Sequence, residues 1–226
     1  MGQALDEILE EWDWETGRPS GKPVSREDAH KNGIPHEGVH LWIARVHEGR
    51  RQLLFQKRSP FKSSYPDCLD ITVGGHTLFG QTGSSVAREA YEEIGIDITE
   101  NELTEIGIIR YEEPRETGPH REFQRVFLLL DNRPLSFYSF NDGEVTGICA
   151  VDMEDFTALL RKDHRFNANF FDGKNLTEKL LNRRDFHPEL FSLNMRHYMK
   201  ILIPSLNHLF ETCPATGVNH EIRRKK

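Results

Sequence analysis

The sequence predicts a protein of the α+β class, in which helices pack on a β-rich body. Two runs of strand-like residues, VHLWIARV (39–46) and RQLLFQKRS (51–59), are separated by a turn and indicate a hairpin. Residues 84–94 have the periodicity of an amphipathic helix. Apolar residues recur at helical spacing beyond residue 175, which favours a further helical region after the sheet.

The N-terminal segment is expected to form a short strand or helix and then a loop, because TGRPSGKP (16–23) is rich in turn residues. Ser25 and Asp28 have the spacing of a helix cap, and Gly33 is placed to end that helix. Trp12 and Trp14 alternate on this segment, and packing against the body or a dimer mate is favoured over stacking on a base.

The clearest predicted helix runs from residue 84 to residue 94. Thr82 or Ser84 can cap its start, and Gly95 is placed to end it in a left-handed conformation. Its predicted apolar face consists of Val86, Ala87, Ala90, Tyr91 and Ile94.

The remaining elements complete a single predicted domain over residues 1–226. Two strand-like runs, 103–113 and 121–131, are followed by a short strand and a helix in 141–161. Leu176, Leu180 and Leu181 have helical spacing, and so does the apolar stripe of 191–210. We therefore expect a core at about 22–160 and C-terminal helices at about 175–212 that pack on it.

Composition excludes several classes of protein. The chain has 29 Lys and Arg against 36 Asp and Glu, a net charge of −7, which argues against duplex nucleic acid as a partner. The acidic N-terminus lacks the apolar core of a secretory signal, and no apolar run is long enough to span a membrane. Cys68, Cys149 and Cys213 form no CxxC pair. We expect a cytoplasmic protein that has no membrane partner.

Three carboxylates occur within about one turn of the predicted helix, at Glu89, Glu92 and Glu93. Like charges at this spacing repel each other unless a cation lies among them. Oxygen ligands of this kind suit Mg²⁺, which also binds substrate phosphates. The alternative is a solvated acidic face with Arg88 as its counterion.

The string GGHTLFGQTGSSVAREAYEEIGI (74–96) favours a metal site over a solvated acidic face. It resembles the Nudix box, G-x5-E-x7-R-E-U-x-E-E-x-G-U, where U is aliphatic, and REAYEEIGI matches the second half. The first glutamate of the box is missing: Gly80 or Gln81 stands there, depending on the alignment, so Arg88 is expected to lack the partner that orients it. The resemblance extends from residue 22 through LLFQKRS and REFQRVFLLL and is similar to the subgroup allied to isopentenyl-diphosphate isomerase. It implies a mixed β-sheet sandwiched between α-helices.

The resemblance also implies roles for individual residues. Mg²⁺ or Mn²⁺ would be bound by Glu89, Glu92, Glu93 and the carbonyl of Gly75. Catalysis would use Glu92, Glu93 or Glu144 as the base, and substrate would contact Lys57, Arg58 and His76. The residues that shape the box would be Gly74, Arg88 and Gly95. The residues expected to be structural, since they lack ligand spacing, are His36, His40 and His120.

The favoured function is a metal-dependent hydrolase that cleaves a diphosphate bond in a small molecule of the nucleoside-diphosphate-linked type. A second reading, motivated by the missing glutamate, is a weakened or inactive fold that binds a nucleotide or a partner. An isopentenyl-diphosphate isomerase is less favoured, because such enzymes need a cysteine where this chain has Gly74. A homodimer is compatible with the sequence.

Overall fold

The computed structural model describes residues 7–62, 64–114 and 119–212, so the prediction made for Cys213 lies outside the described residues. The strands are β1 (Ile8–Asp13), β2 (Arg18–Ser25), β3 (His36–His47), β4 (Arg50–Arg58), β5 (Leu69–Asp70), β6 (Val73–His76), β7 (Thr104–Glu113), β8 (His120–Leu130), β9 (Val145–Asp152), β10 (Phe166–Phe171) and β11 (Leu176–Leu181). The helices are α1 (Arg26–Asn32), α2 (Ser85–Ile94), α3 (Met153–Arg161) and α4 (Met195–Thr212). Among the described residues, no helix has the length and apolarity needed to cross a membrane.

The N-terminal segment is an antiparallel hairpin of β1 and β2 followed by α1. Much of the predicted loop TGRPSGKP is therefore part of β2. The predicted caps of α1 are confirmed: the Ser25 side chain accepts a hydrogen bond from the backbone nitrogen of Asp28, and Gly33 is left-handed with φ 64°. Trp12 and Trp14 both contact the ring of Phe123, with centroids 5.1 and 5.2 Å apart, so both pack against the body.

The main sheet is mixed and has the strand order β11-β10-β9-β4-β3-β8-β7, with β5 beside β4 and β6 beside β3. The pair β3 and β8 is parallel, and the other neighbours along this order are antiparallel. The predicted hairpin is β3 and β4. Because β6 and β8 both pair with β3, residues from three strands meet where β3 begins.

Successive residues of β3 point to opposite faces and enter two different cores. Leu41 and Ile43 pack on the side of α2, whereas Trp42 and Ala44 pack on the side of α3 and α4. The α+β class and the mixed sheet between helices are thereby confirmed.

The C-terminal region is only partly helical. The prediction of helix at Leu176, Leu180 and Leu181 is wrong, because these residues lie in the edge strand β11, paired with β10. Leu176 and Leu180 share a face in a strand as well as in a helix, so their spacing does not discriminate. The stronger signal is the hairpin turn before them, where Asp172 accepts hydrogen bonds from the next residues and Gly173 has φ 89°. The apolar stripe that follows does form α4.

Candidate active site

A cavity of about 740 Å³ opens beside the start of β3. One wall comes from β6, β8 and α2, and a second comes from α1 together with Glu7, the residue before β1. The third wall belongs to the C-terminal part of the chain, where His187, Glu189 and Met195 line the cavity. The Tyr111 hydroxyl, on β7, donates a hydrogen bond of 2.9 Å to Glu189 and joins the two sides. The C-terminal region therefore encloses the site.

Two of the three predicted metal-binding carboxylates are buried. Glu89 and Glu93 are 7% and 4% exposed, although both are ionisable. Glu93 Oε2 accepts hydrogen bonds of 3.2 Å from the backbone nitrogen of Gly74 and from Gln56 Nε2, and both of these residues line the cavity. Burial, together with the nearby charge of Glu89, raises the pKa of Glu93 well above its usual value.

Glu89 lines the cavity itself. Its Oε1 accepts hydrogen bonds from the backbone nitrogen of His76 at 3.1 Å and from Arg88 Nη2 at 2.7 Å. Burial raises the pKa of Glu89 against the opposing charge of Arg88. Two buried carboxyls that repel each other beside a polar cavity are a site that a divalent cation would stabilise, so the donor set fits the expected metal.

The third carboxylate, Glu92, lies elsewhere. Its side chain is 48% exposed and pairs with Arg88 Nη1 at 2.7 Å. The helical register explains the difference, because residues four apart share a face more closely than residues three apart. The same rotation corrects the predicted apolar face: Tyr91 is 60% exposed, while Val86, Ala90 and Ile94 are buried.

Arg88 has partners despite the missing box glutamate. Besides its bonds to Glu89 and Glu92, its Nη2 donates to the carbonyl of His76 at 2.8 Å. Its Nε is buried and has no hydrogen-bond partner among the described residues. The guanidinium thus holds the box together and keeps one donor unused.

Steric contacts explain why two positions of the box are glycine. A Cβ on Gly75 would lie 2.0 Å from Cδ of Glu89, so only glycine leaves room for this carboxylate. Gly95 ends α2 with φ 69°, as predicted, and a Cβ there would lie 1.9 Å from Ser139 Oγ.

The predicted phosphate-binding cations are engaged in local structure. Lys57 forms an ion pair with Asp67 and is not one of the described residues that line the cavity. Arg58 does line it, but its guanidinium bonds to Asp70, to the Ser64 carbonyl and to the Tyr65 carbonyl. These bonds fix the loop after β4.

Glu144 and Lys62 form an ion pair at the cavity surface. The sequence did not reveal Lys62, which lines the cavity and pairs with the candidate base Glu144. Its position in a Ser- and Pro-containing loop gives no periodic signal.

A histidine-rich cluster is the largest feature that the sequence did not reveal. The ligand atoms of His30, His36, His76 and Glu122 lie within 4.8 Å of one another. His120 Nε2 is 2.8 Å from Glu122 Oε1. The absence of ligand spacing in the sequence therefore did not reveal that His36 and His120 lie together in this cluster.

The sheet register produces this cluster. His36 pairs with Glu122 across the parallel strands, and His76 pairs with Gly38 across β6 and β3. His36 and Gly38 are two apart on β3, so they share a face of the sheet. Paired residues on neighbouring strands share a face as well, so the side chains of His36, His76 and Glu122 project to the same side. The alternation in His120-x-Glu122 was a usable signal, but its partners are distant in sequence.

Histidines surround the carboxylate of Glu122 in this cluster. His36 Nδ1 lies 2.8 Å from the Ile34 carbonyl and donates to it, which leaves Nε2 buried without a hydrogen bond and 3.6 Å from Glu122 Oε1. Although burial alone would raise it, the pKa of Glu122 is held well below its usual value by His120, His36 and His76. Burial and the neighbouring histidines lower the pKa of His30 to about 2, so its imidazole is neutral and can act as a ligand.

Comparison with known proteins decides the family. The model of the NUDIX domain matches residues 36–173, which is more than half of the chain. The chain belongs to the Nudix family. An uncharacterized Nudix hydrolase of Clostridium acetobutylicum is 29% identical over 190 residues, which cover 80% of this chain and 89% of that protein.

Two further relatives agree. Nudix hydrolase 3 of Arabidopsis thaliana is 31% identical over 153 residues, which are 66% of this chain and 20% of that protein. The crystal structure of DR0079 from Deinococcus radiodurans has the same fold, with a TM-score of 0.52 and 22% identity, and the match covers 69% of this chain and 89% of that one. The protein is a Nudix-type hydrolase.

Proposed function

We propose that this Nudix hydrolase cleaves a diphosphate bond in a small molecule of the nucleoside-diphosphate-linked type, with Mg²⁺ or Mn²⁺ as cofactor. The observation that carries the proposal is the buried pair Glu89 and Glu93 beside a polar cavity. A cation bound there would neutralise the pair, and the family match makes diphosphate chemistry the expected reaction.

The bound cation would supply charge neutralisation at the diphosphate and acidify a water molecule. Glu89, Glu93 and the carbonyl of Gly75 would hold it. Glu144 is the favoured base, because it lines the cavity, whereas Glu92 pairs with Arg88 in solvent. Lys62 would then contact a phosphate oxygen and leave Glu144 free to accept the proton.

We also propose that the histidine-rich cluster holds a second cation, with His30, His36, His76 and Glu122 as ligands. Imidazole and carboxylate donors suit Zn²⁺ and other transition ions. Ligands ~2.0–2.1 Å from zinc lie ~3.4 Å apart, so a modest contraction of the cluster would complete the site. Its place in the same cavity puts it within reach of the substrate.

The alternatives receive less support. A binding module does not require two carboxyls to be buried at a cavity. An isomerase would need a thiol in the cavity, but Cys68 is buried outside the described lining, its Sγ bonds to the Tyr65 carbonyl, and burial raises its pKa to about 11. The likeness to the isomerase-allied subgroup, the single-domain division, the cytoplasmic location and a homodimer remain predictions.

The test is phosphate release from a panel of nucleotide sugars, dinucleoside polyphosphates, nucleoside di- and triphosphates and isoprenoid diphosphates. Each would be assayed with and without Mg²⁺ or Mn²⁺, for the native protein and for Glu93→Gln. Turnover that needs both the metal and Glu93 is the expected result. Metal binding without turnover of any compound would favour the binding module, and activity retained in Glu93→Gln would remove this residue from the mechanism.

A further inference from the structure

The N-terminal hairpin is docked on the loop of the Nudix box. The Phe79 backbone nitrogen donates a 2.8 Å hydrogen bond to the Ile8 carbonyl, and Leu9 pairs with Leu78. Leu9 is fully buried. The hairpin precedes residues 36–173, the part matched by the family domain, so this contact is an addition to that domain.

This docking places Glu7 in the cavity wall. Its Oε2 lies 3.4 Å from His76 Nδ1 and 3.3 Å from Arg26 Nε, and its side chain is 22% exposed. Burial would raise its pKa, but the hydrogen bond with His76 and the charges of His76, Arg26 and Arg88 lower it below the usual value. Glu7 is therefore a carboxylate beside the Arg26 guanidinium and the His76 imidazole.

Arg88 is the neighbour that links Glu7 to the metal ligands. Glu7 and Arg88 interact electrostatically, and Arg88 Nη2 holds both Glu89 and the His76 carbonyl. Arg88 Nε is buried without a hydrogen-bond partner among the described residues. Glu7 Oε2 pairs with His76 Nδ1, and the carbonyl of the same histidine accepts from Arg88 Nη2, so His76 lies between the two side chains.

The box itself offers no carboxylate for this position. Gly80 is left-handed with φ 69°, and Gln81 uses its Oε1 to accept a hydrogen bond from the Leu78 backbone nitrogen.

We propose that Glu7 is a positioning residue of the active site: from the N-terminal hairpin it supplies the carboxylate that the box lacks, and it orients Arg88 and His76. Arg88 then holds Glu89 toward the cavity. This inference rests on the proposed metal site at Glu89 and Glu93. It assigns the hairpin a role in catalysis rather than in packing alone.

The experiment compares Glu7→Gln with Glu11→Gln, a matched control on the adjoining strand β1 whose side chain pairs with the exposed Lys22. Mn²⁺ affinity is measured by electron paramagnetic resonance, for the class of sites that Glu93→Gln abolishes. Glu7→Gln is expected to weaken that affinity about tenfold or more and to lower kcat more than it changes KM. Glu11→Gln is expected to change neither quantity.

A second substitution separates positioning from folding. Gln81→Glu returns a carboxylate to the box, and in the Glu7→Gln background it is expected to restore Mn²⁺ affinity, whereas in the native protein it adds little. Unchanged affinity in Glu7→Gln, or a loss that Gln81→Glu does not restore, would overturn the proposal. The native protein could hydrolyse no compound of the panel while Glu7→Gln weakened Mn²⁺ binding and Gln81→Glu restored it. In that case the proposed hydrolase activity would be wrong, and the role of Glu7 in metal binding would stand.

Discussion

The carboxyl group of Glu89 occupies the space that a side chain at residue 75 would need. A Cβ on Gly75 would lie 2.0 Å from Cδ of Glu89 and 2.1 Å from its Oε1. The strand and the helix thus approach each other as closely as they do because residue 75 has no side chain. This contact fixes the position of a proposed metal ligand.

Gly75→Ala is therefore expected to displace Glu89 and weaken Mg²⁺ or Mn²⁺ binding about tenfold or more. Metal titration by calorimetry measures the change. Gly74→Ala is the comparator, because its Cβ would approach nothing more closely than the flexible end of Ile71, at 3.2 Å, and a much smaller loss is expected. Equal affinities for Gly75→Ala and the native protein would show that Glu89 is not a ligand.

Glu144→Gln tests the proposed base. The substitution removes the proton acceptor but leaves the buried pair of carboxyls, so kcat is expected to fall roughly 10²- to 10⁴-fold with metal affinity unchanged. Steady-state kinetics and a metal titration check the two parts. Glu100→Gln, at an exposed position, serves as the control. A kcat within a few-fold of the native value would transfer the role to another residue.

The stability of the metal-free protein is expected to depend on pH through Glu93. In the unfolded chain this carboxyl has a pKa near 4.5, and in the folded protein the pKa is raised. The folded state therefore binds the proton more tightly, and its contribution to stability, full below pH 4.5, is lost as the pH rises through the folded pKa.

Glu93→Gln removes this loss. We consider the difference in thermal midpoint in EDTA, Glu93→Gln minus native protein. This difference is expected to increase as the pH rises from about 5 to 8. Differential scanning fluorimetry across this range measures it. Parallel curves for the two proteins would mean that Glu93 titrates normally.

His30→Gln tests the histidine-rich cluster. It removes one of the four ligands from a short helix at the surface of the cluster, so tight Zn²⁺ binding is expected to be lost. Competition with a chromophoric chelator measures the affinity. His47→Gln, at the exposed end of β3, is the matched control. If the native protein bound Zn²⁺ no more tightly than His30→Gln, the cluster would not be a Zn²⁺ site.

Tyr198→Phe tests how firmly α4 is attached to the sheet. The Tyr198 hydroxyl accepts a 2.7 Å hydrogen bond from the buried Trp42 Nε1, which the substitution would leave without a partner. The free energy of unfolding is expected to fall by about 1–3 kcal/mol. Urea denaturation measures it, and Tyr91→Phe, at a side chain 60% exposed, is expected to change it little. A neutral Tyr198→Phe would indicate that water replaces the bond.

The sequence by itself determined the local features of this protein. The spacing of residues 84–95 predicted helix α2 and its end at Gly95, and alternation predicted the β3–β4 hairpin. The sequence offered Thr82 or Ser84 as the N-cap, and the structure has Ser84 there. The box predicted a metal site at Glu89, Glu92 and Glu93, and the structure buries the first and the last of these side chains. These features depend on interactions between residues a few positions apart, which periodicity records.

Only the tertiary structure decided which side chains share the cavity. His30, His36, His76 and Glu122 come from α1, β3, β6 and β8, and the parallel pairing of β3 with β8 brings them together. The docking of the hairpin brings Glu7 to His76, and pairing with β10 makes residues 176–181 a strand. These contacts join residues distant along the chain, and their register depends on the packing of the whole sheet rather than on any local pattern.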